Sequence, residues 1–248
     1  MDTKMARTFV FTSSWDDGFP SDLRVADLLC RYDLEGTFFT PISNASGRPV
    51  LGSFEIAALA KGFEIGGHTL NHVYLRQHLR RDEIASEILR GKATLEDWIG
   101  EHVDGFCYPG GVYDSRVIEE VRAAGFKYGR TVENLVLDLG SNKWLVPTTV
   151  QFFPHPPSVY LRNFVRYPGI EKITLCGRSL ITGGGMQFFF WLLNQVALKG
   201  GVFHLWGHSW ELDRYDLWGA LEAFLKEVKA MSPTSCQLRH LLTPKTEI

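Results

Sequence analysis

Short apolar runs alternate along this chain with longer stretches in which apolar residues recur every three or four positions. Thr8 to Phe11, Gly36 to Thr40, Phe63 to Gly66, Gly105 to Tyr108, Tyr128 to Thr131, Trp144 to Val146 and Gly201 to Trp206 read as strands. Helical spacing fills the intervals. Asp22 to Tyr32 carries Leu23, Ala26, Leu28 and Leu29, and Asp82 to Ile99 carries Ile84, Ile88, Leu89, Leu95 and Ile99. Ser115 to Ala124, Met186 to Leu198 and Tyr215 to Met231 follow the same period, with Asp82 and Ser115 as expected N-caps. Gln151 to Thr182, with Pro154, Pro156 and Pro157, breaks the pattern and predicts a loop or short excursion on the substrate side. Gly183-Gly184-Gly185 reads as a flexible loop before a helix.

This alternation predicts an α/β fold with a mainly parallel sheet. About seven strands, with no Gly-x-Gly-x-x-Gly after the first, predict a distorted or incomplete (β/α) barrel rather than an open nucleotide-binding sheet. One domain is expected over residues 1–248, a chain with 45% hydrophobic and 22% charged residues.

Composition changes this picture little. A formal net charge of -2 gives no bulk electrostatic reason to bind nucleic acid or anionic lipid, although it says nothing of local basic patches. Met1 to Arg7 lacks the apolar core and small-residue cleavage site of a secretory signal, so a cytoplasmic protein is expected. No membrane span is expected: the most apolar stretch, Phe188 to Leu198, is too short and contains Asn194 and Gln195. Cys30, Cys107, Cys176 and Cys236 have no metal-type spacing and predict no disulfide. Oligomeric state is not legible.

The candidate chemistry starts at Asp16 and Asp17, after the first apolar run and before Gly18 and Pro20. Adjacent like charges repel and lose hydration when enclosed, so a fold tolerates them more easily with a cation or proton in the gap. The end of a strand in a parallel α/β fold is also where chemistry is usually placed. His68 and His72 follow the third apolar run; four residues apart, they would share one side of a helical turn and could hold one metal. Two imidazoles and one carboxylate leave coordination positions open for water and substrate.

On these residues the chain resembles the polysaccharide deacetylases, the family-4 carbohydrate esterases with a NodB homology domain. Ser14-Trp15-Asp16-Asp17-Gly18 is similar to the family's T-F-D-D-G, and His68-Thr69-Leu70-Asn71-His72 matches H-S/T-x-x-H in order and spacing. The resemblance implies a distorted (β/α) barrel, Asp17, His68 and His72 as metal ligands, and Asp16 as general base. The third motif, R-x-P-Y-G, appears as Cys107-Tyr108-Pro109-Gly110-Gly111, with Cys107 in place of Arg and Gly110 in place of Tyr. Gly110 N–H is then the expected oxyanion donor, and Arg130 the candidate to replace the missing Arg. The fourth motif, an Asp and a Trp, has no clear match; Asp138 and Trp144 are nearest, at the wrong spacing. The fifth holds the general acid, and His208-Ser209-Trp210-Glu211 looks like a His-Pro-Trp-Glu version of it, with His204 as a deeper alternative. Tyr108, Trp144 and Trp210 are the expected substrate contacts, and His155 is a further candidate.

The expected activity is metal-dependent removal of an N-acyl group, acetyl above all, from an amino sugar. A glycan or a lipid- or nucleotide-linked saccharide is the expected partner. Zinc is the default cofactor, with cobalt, nickel, iron and manganese open. The alternatives are hydrolysis of another non-peptide C–N bond, such as a formamide or cyclic amide, and a non-catalytic glycan-binding relative.

Overall fold

The computed structural model describes residues 8–75 and 79–242. Strand β1 (Val10–Asp16) leads to α1 (Asp22–Arg31), β2 (Thr37–Thr40), α2 (Ser53–Leu59), β3 (Glu64–Gly67), α3 (Arg81–Ile99), β4 (Gly105–Cys107), α4 (Ser115–Ala123) and β5 (Tyr128–Arg130). The chain continues through β6 (Val150–Gln151), α5 (Pro157–Arg166), α6 (Ile170–Thr182), α7 (Met186–Lys199), β7 (Val202–His208), α8 (Ser209–Arg214), α9 (Trp218–Ala230), β8 (Thr234–Ser235) and α10 (Leu238–Leu242). Seven parallel strands curl in the order β5-β4-β3-β2-β1-β7-β6, with β8 added beside β1, to form an open half-barrel. An isolated bridge between Arg130 and Val146 ties β5 to the segment entering β6.

The two faces of the sheet have opposite chemistry because side chains alternate along each strand. Phe11 and Trp15 of β1, Phe38 of β2, Phe106 of β4 and Phe203 and Leu205 of β7 belong to the large core shared with the helices. The intervening Ser14 and His204 meet inside the barrel, where Ser14 Oγ lies 2.9 Å from His204 Nε2. Asp16 and His208 occupy the same parity and are register partners at the C-terminal ends of β1 and β7. Deeper in the barrel, Glu64 accepts hydrogen bonds from Thr37, Tyr128 and the Arg239 N–H, so the C-terminal segment plugs the end opposite Asp16.

Several boundaries differ from the sequence expectation. β1 runs through Asp16 rather than ending at Phe11, because Thr12, Ser13 and Ser14 are buried and paired with β7 despite their polarity. The sixth strand is Val150–Gln151, not Trp144 to Val146, where only Val146 makes a bridge. The Pro-rich stretch contains α5 and α6: Pro156 and Pro157 stand at the helix start, where a missing N–H costs nothing. The helix expected from Tyr215 begins at Trp218, preceded by the separate α8, and α2, β8 and α10 carry no period long enough to read. Gly183 caps α6 in the left-handed conformation and Gly185 caps α7, so the glycine cluster is a connector. Among the described residues all four cysteines are free, and no helix is long and apolar enough to cross a membrane.

Both expected N-caps lie one or two residues late. The Glu83 side chain accepts from Arg80 N–H at the start of α3, and the Asp114 side chain accepts from Val117 N–H at the start of α4. Asp114→Ala is therefore expected to cost about 1 kcal/mol and lower Tm by about 2–4 °C, whereas Ser115→Ala stays within about 0.5 kcal/mol. Thermal unfolding of the two variants measures the difference.

Candidate active site

Asp16 is the last residue of β1, and the chain turns immediately after it: Asp17 takes φ 79° and Gly18 φ 59°. A Cβ at Gly18 would meet Thr40 and Val50, so the turn requires glycine for space as well as conformation. A strand residue followed by a left-handed one sends two neighbouring carboxylates to different partners. Asp16 Oδ1 accepts from Arg130 Nη2, and Cys107 Sγ lies 3.5 Å from Asp16 Oδ2. Asp17 Oδ1 lies 2.9 Å from His72 Nε2 and 3.6 Å from His68 Nε2, while its Oδ2 accepts from Trp210 Nε1 at 3.0 Å.

The two histidines do not sit on a helical turn. Residues 68–75 form an irregular loop with Thr69 at φ 67° and His72 at φ 54°. Non-glycine residues rarely adopt such angles, and this loop is held by anchors: Asn71 N–H and side chain to Glu87, Leu70 N–H to Glu87 O, and Val73 N–H to Thr69 Oγ1. His68 Nδ1 donates to the Cys107 carbonyl at 2.8 Å, which fixes the ring with Nε2 toward Asp17.

A group of three donors, Asp17, His68 and His72, has its ligand atoms within 4.8 Å of one another; Asp16, His68 and Cys107 satisfy the same test. The first group fits a divalent ion better. Asp16 is already neutralised by Arg130, and His68 presents the nitrogen that faces Asp17. Burial alone would raise the Asp17 pKa, but hydrogen bonds from His68 and His72 hold it well below the usual carboxylate range. Burial pushes the Cys107 thiol up, so it stays protonated and able to donate.

The general-acid candidates are separated by environment. His204 is fully enclosed, with Nδ1 3.0 Å from the Pro147 carbonyl. Burial and the nearby Arg130 lower its pKa to about 3, so it is neutral at ordinary pH. At the rim, His208 Nδ1 lies 2.9 Å from Glu211 Oε2, and Gln151 Nε2 donates to the same oxygen at 2.8 Å. Burial opposes the charged form of His208, but Glu211 and the Asp17 carboxylate outweigh it and raise the pKa. His155 Nε2 lies 2.8 Å from Gln151 Oε1, so it joins this network from behind.

Asp16, Asp17, His68, His72, Gly110 and His208 line one cavity of about 1170 Å³. Trp206, Trp210 and Arg48 complete the wall nearest them, the Arg48 guanidinium lying 4.0 Å over the Trp210 ring. Tyr108 and Trp144 are not among the lining residues. Tyr108 is fully buried with its hydroxyl donating to the Trp144 carbonyl at 3.0 Å, and the half-buried Trp144 ring takes Arg122 and Lys143 against its faces, so neither expected contact reaches this cavity. Glu211, Gln151 and Arg48 had no assigned role. Glu211, three residues after His208, had a helical-spacing signal; the other two had none.

The half-barrel opens at its C-terminal rim onto a carboxylate and two imidazoles that could hold a divalent ion. The polysaccharide deacetylase family model matches residues 5–129, half of the chain, and the chain belongs to that family. A peptidoglycan-N-acetylglucosamine deacetylase from Bacillus cereus is 34% identical over 104 residues, 42% of this chain and 46% of that relative. The chain thus spans under half of that relative's length. In fold, a Mycobacterium smegmatis structure assigned to polysaccharide deacetylases overlays with a TM-score of 0.65 at 19% identity, covering 96% of this chain and 90% of the other. A CE4-family pseudoenzyme from Bacillus anthracis overlays with a TM-score of 0.56 at 14% identity, covering 96% and 66%. The family match stops one residue before Arg130 and does not reach His208.

Arg130 and Asp16 are both buried, so Arg130→Met leaves an unpaired carboxylate and is expected to cost about 3–5 kcal/mol, most of it recovered in Arg130→Met/Asp16→Asn. Urea unfolding of the single and double variants tests this. His204 supplies a pH signature. Its folded pKa lies below its unfolded value near 6.5, so the unfolded chain binds the extra proton first and stability falls as pH drops from about 6.5 toward 3, by up to about 1.4 kcal/mol per unit. An NMR titration should find its imidazole neutral down to pH about 4, and a protonated ring at pH about 6 would contradict it.

Proposed function

We propose that this chain is a metal-dependent N-deacetylase of an amino-sugar glycan or of a lipid- or nucleotide-linked saccharide. The observation that carries this reading is the separation of two adjacent carboxylates: one paired with Arg130, one facing two imidazoles, both on the same cavity. Family membership and the Bacillus cereus relative support an N-acetylated sugar as substrate.

Asp17, His68 and His72 would hold a divalent ion, with zinc the default for two imidazoles and a carboxylate and cobalt, nickel, iron and manganese as the alternatives. When bound it supplies Lewis-acid polarisation of an acyl carbonyl and a lowered pKa for water. Asp16 accepts the proton of the water that attacks the acyl carbon. Arg130 and Cys107 fix its carboxylate, so the proton arrives at a group whose orientation does not change. Gly110, at φ 61° in the turn Pro109–Gly111, presents a backbone N–H to the developing oxyanion; a backbone donor survives the loss of the motif's side chain. As the C–N bond breaks, His208 gives its Nε2 proton to the departing amine, with Glu211 holding Nδ1.

The Bacillus anthracis pseudoenzyme makes a non-catalytic relative the second reading, since this chain also departs from the third and fourth motifs. Against it stand two contacts: Arg130 on Asp16, where the motif's Arg is missing, and Glu211 as the carboxylate behind His208.

Asp17→Ala/His72→Ala is expected to lose stoichiometric metal by elemental analysis. Asp16→Asn should keep the metal and lose at least about a hundredfold in turnover on an N-acetylated oligosaccharide; retained turnover removes Asp16 from its role. Glu211→Gln deletes the charge that raises the His208 pKa. An acid works only while protonated, so the alkaline limb of the kcat/KM profile should move to lower pH in that variant.

A further inference from the structure

Helix α6 carries aliphatic residues on its outer side. Its inward positions Lys172, Leu175, Cys176 and Ser179 are buried. On the opposite side Ile170, Ile173, Leu180 and Ile181 form a stripe about 100° wide, where a surface helix ordinarily carries polar residues. Ile170 is 86% exposed and Ile181 75%. Leu161 and Val165, one turn apart on the neighbouring α5, extend the stripe, Val165 being 73% exposed. Isolated exposed aliphatics need no explanation, but six on two packed helices form a patch of the kind that marks an interaction site.

The charges on the two helices select the partner. Lys172 is buried and paired with Glu133, and the remaining charges of α5 and α6 are Arg162, Arg166 and Arg178 against one acid, Glu171, although the whole protein has a net charge of -2. Arg162 and Arg166 alternate with the α5 aliphatics, and Arg178 flanks the α6 stripe. A second copy docked face to face would set these arginines against their own kind. An anionic surface would meet them with opposite charge.

The patch also has a defined place relative to the cavity. Asn163 of α5 donates to the Val132 carbonyl at 3.0 Å, Arg166 donates to the Gly111 carbonyl at 2.6 Å, and Lys172 of α6 bonds Glu133 at 2.6 Å. Val132 and Gly110 line the cavity, so both helices rest on the loops of its rim.

We propose that the outer face of α5 and α6 docks this protein on an anionic phospholipid bilayer, aliphatic residues inserted and arginines at the headgroups, with the cavity mouth beside that surface. The inference is independent of the reading of the site.

Co-sedimentation with vesicles of phosphatidylcholine mixed with phosphatidylglycerol, against phosphatidylcholine alone, tests it on the full chain. Binding to the mixed vesicles should be stronger by about tenfold or more and fall as salt is raised. Val165→Ser/Ile170→Ser/Ile181→Ser, three exposed substitutions, should lower it by about tenfold with unchanged thermal unfolding and unchanged turnover of a short water-soluble substrate. Arg162→Gln should lower it with a weaker salt dependence. Equal binding by the triple variant, binding to neither vesicle, or a concentration-dependent dimer in ultracentrifugation that the triple variant abolishes would each overturn the proposal, the last by giving the face to a second copy.

Discussion

A carboxylate sealed from water must be neutralised where it stands, and in this fold that requirement falls on Asp16 and Arg130. The two residues are 114 positions apart, on strands separated by three others in the sheet order, and they meet only because the sheet curls. The guanidinium lies 5.2 Å from the Phe39 ring centroid and 5.0 Å from that of Trp206, so aromatic faces supply part of the environment that water would otherwise give. With Asp16 paired in this way, Asp17 remains the carboxylate that faces the imidazoles.

The displaced arginine follows from sheet geometry. Cys107 and Arg130 are register partners on β4 and β5. A guanidinium at Arg130 therefore starts about 4.8 Å, one strand spacing, from where the family motif expects it, at the same height and with the same inward parity. A long side chain absorbs that offset, and Cys107, left without a charge to carry, faces the other oxygen of the same carboxylate. Arg130 thus reaches Asp16 from the register position beside Cys107.

The same logic of environment separates the histidines of β7. His204 and His208 share a strand and a face, yet one is enclosed beside Arg130 and neutral, and the other stands at the rim against Glu211 and is biased toward the charged form. Residue type alone does not distinguish them. Depth in the barrel and the sign of the nearest charge do.

Much of this was legible beforehand. Period-two and period-3.6 apolar patterns are local properties, so the strands, most long helices and the barrel class could be read directly, and the Asp16-Asp17 and His68-His72 pairs are close enough in sequence for spacing to carry meaning. The differences also have physical reasons. The inward residues of β1 are polar and hide its C-terminal half, exposed aliphatics on α5 and α6 and prolines at the start of α5 blur the helical period, and the histidine loop is left-handed at two residues rather than helical. Tyr108 and Trp144 carried a motif position but not an orientation. The amino-acid sequence alone determined which groups this protein has for chemistry and on which strand ends they lie. Only the tertiary structure decided which of them meet: the curl of the sheet brings Asp16 to Arg130, and the strand order β1-β7-β6 sets Asp17 beside Trp210 and His208 beside Gln151, and no local period encodes either the curvature or the order.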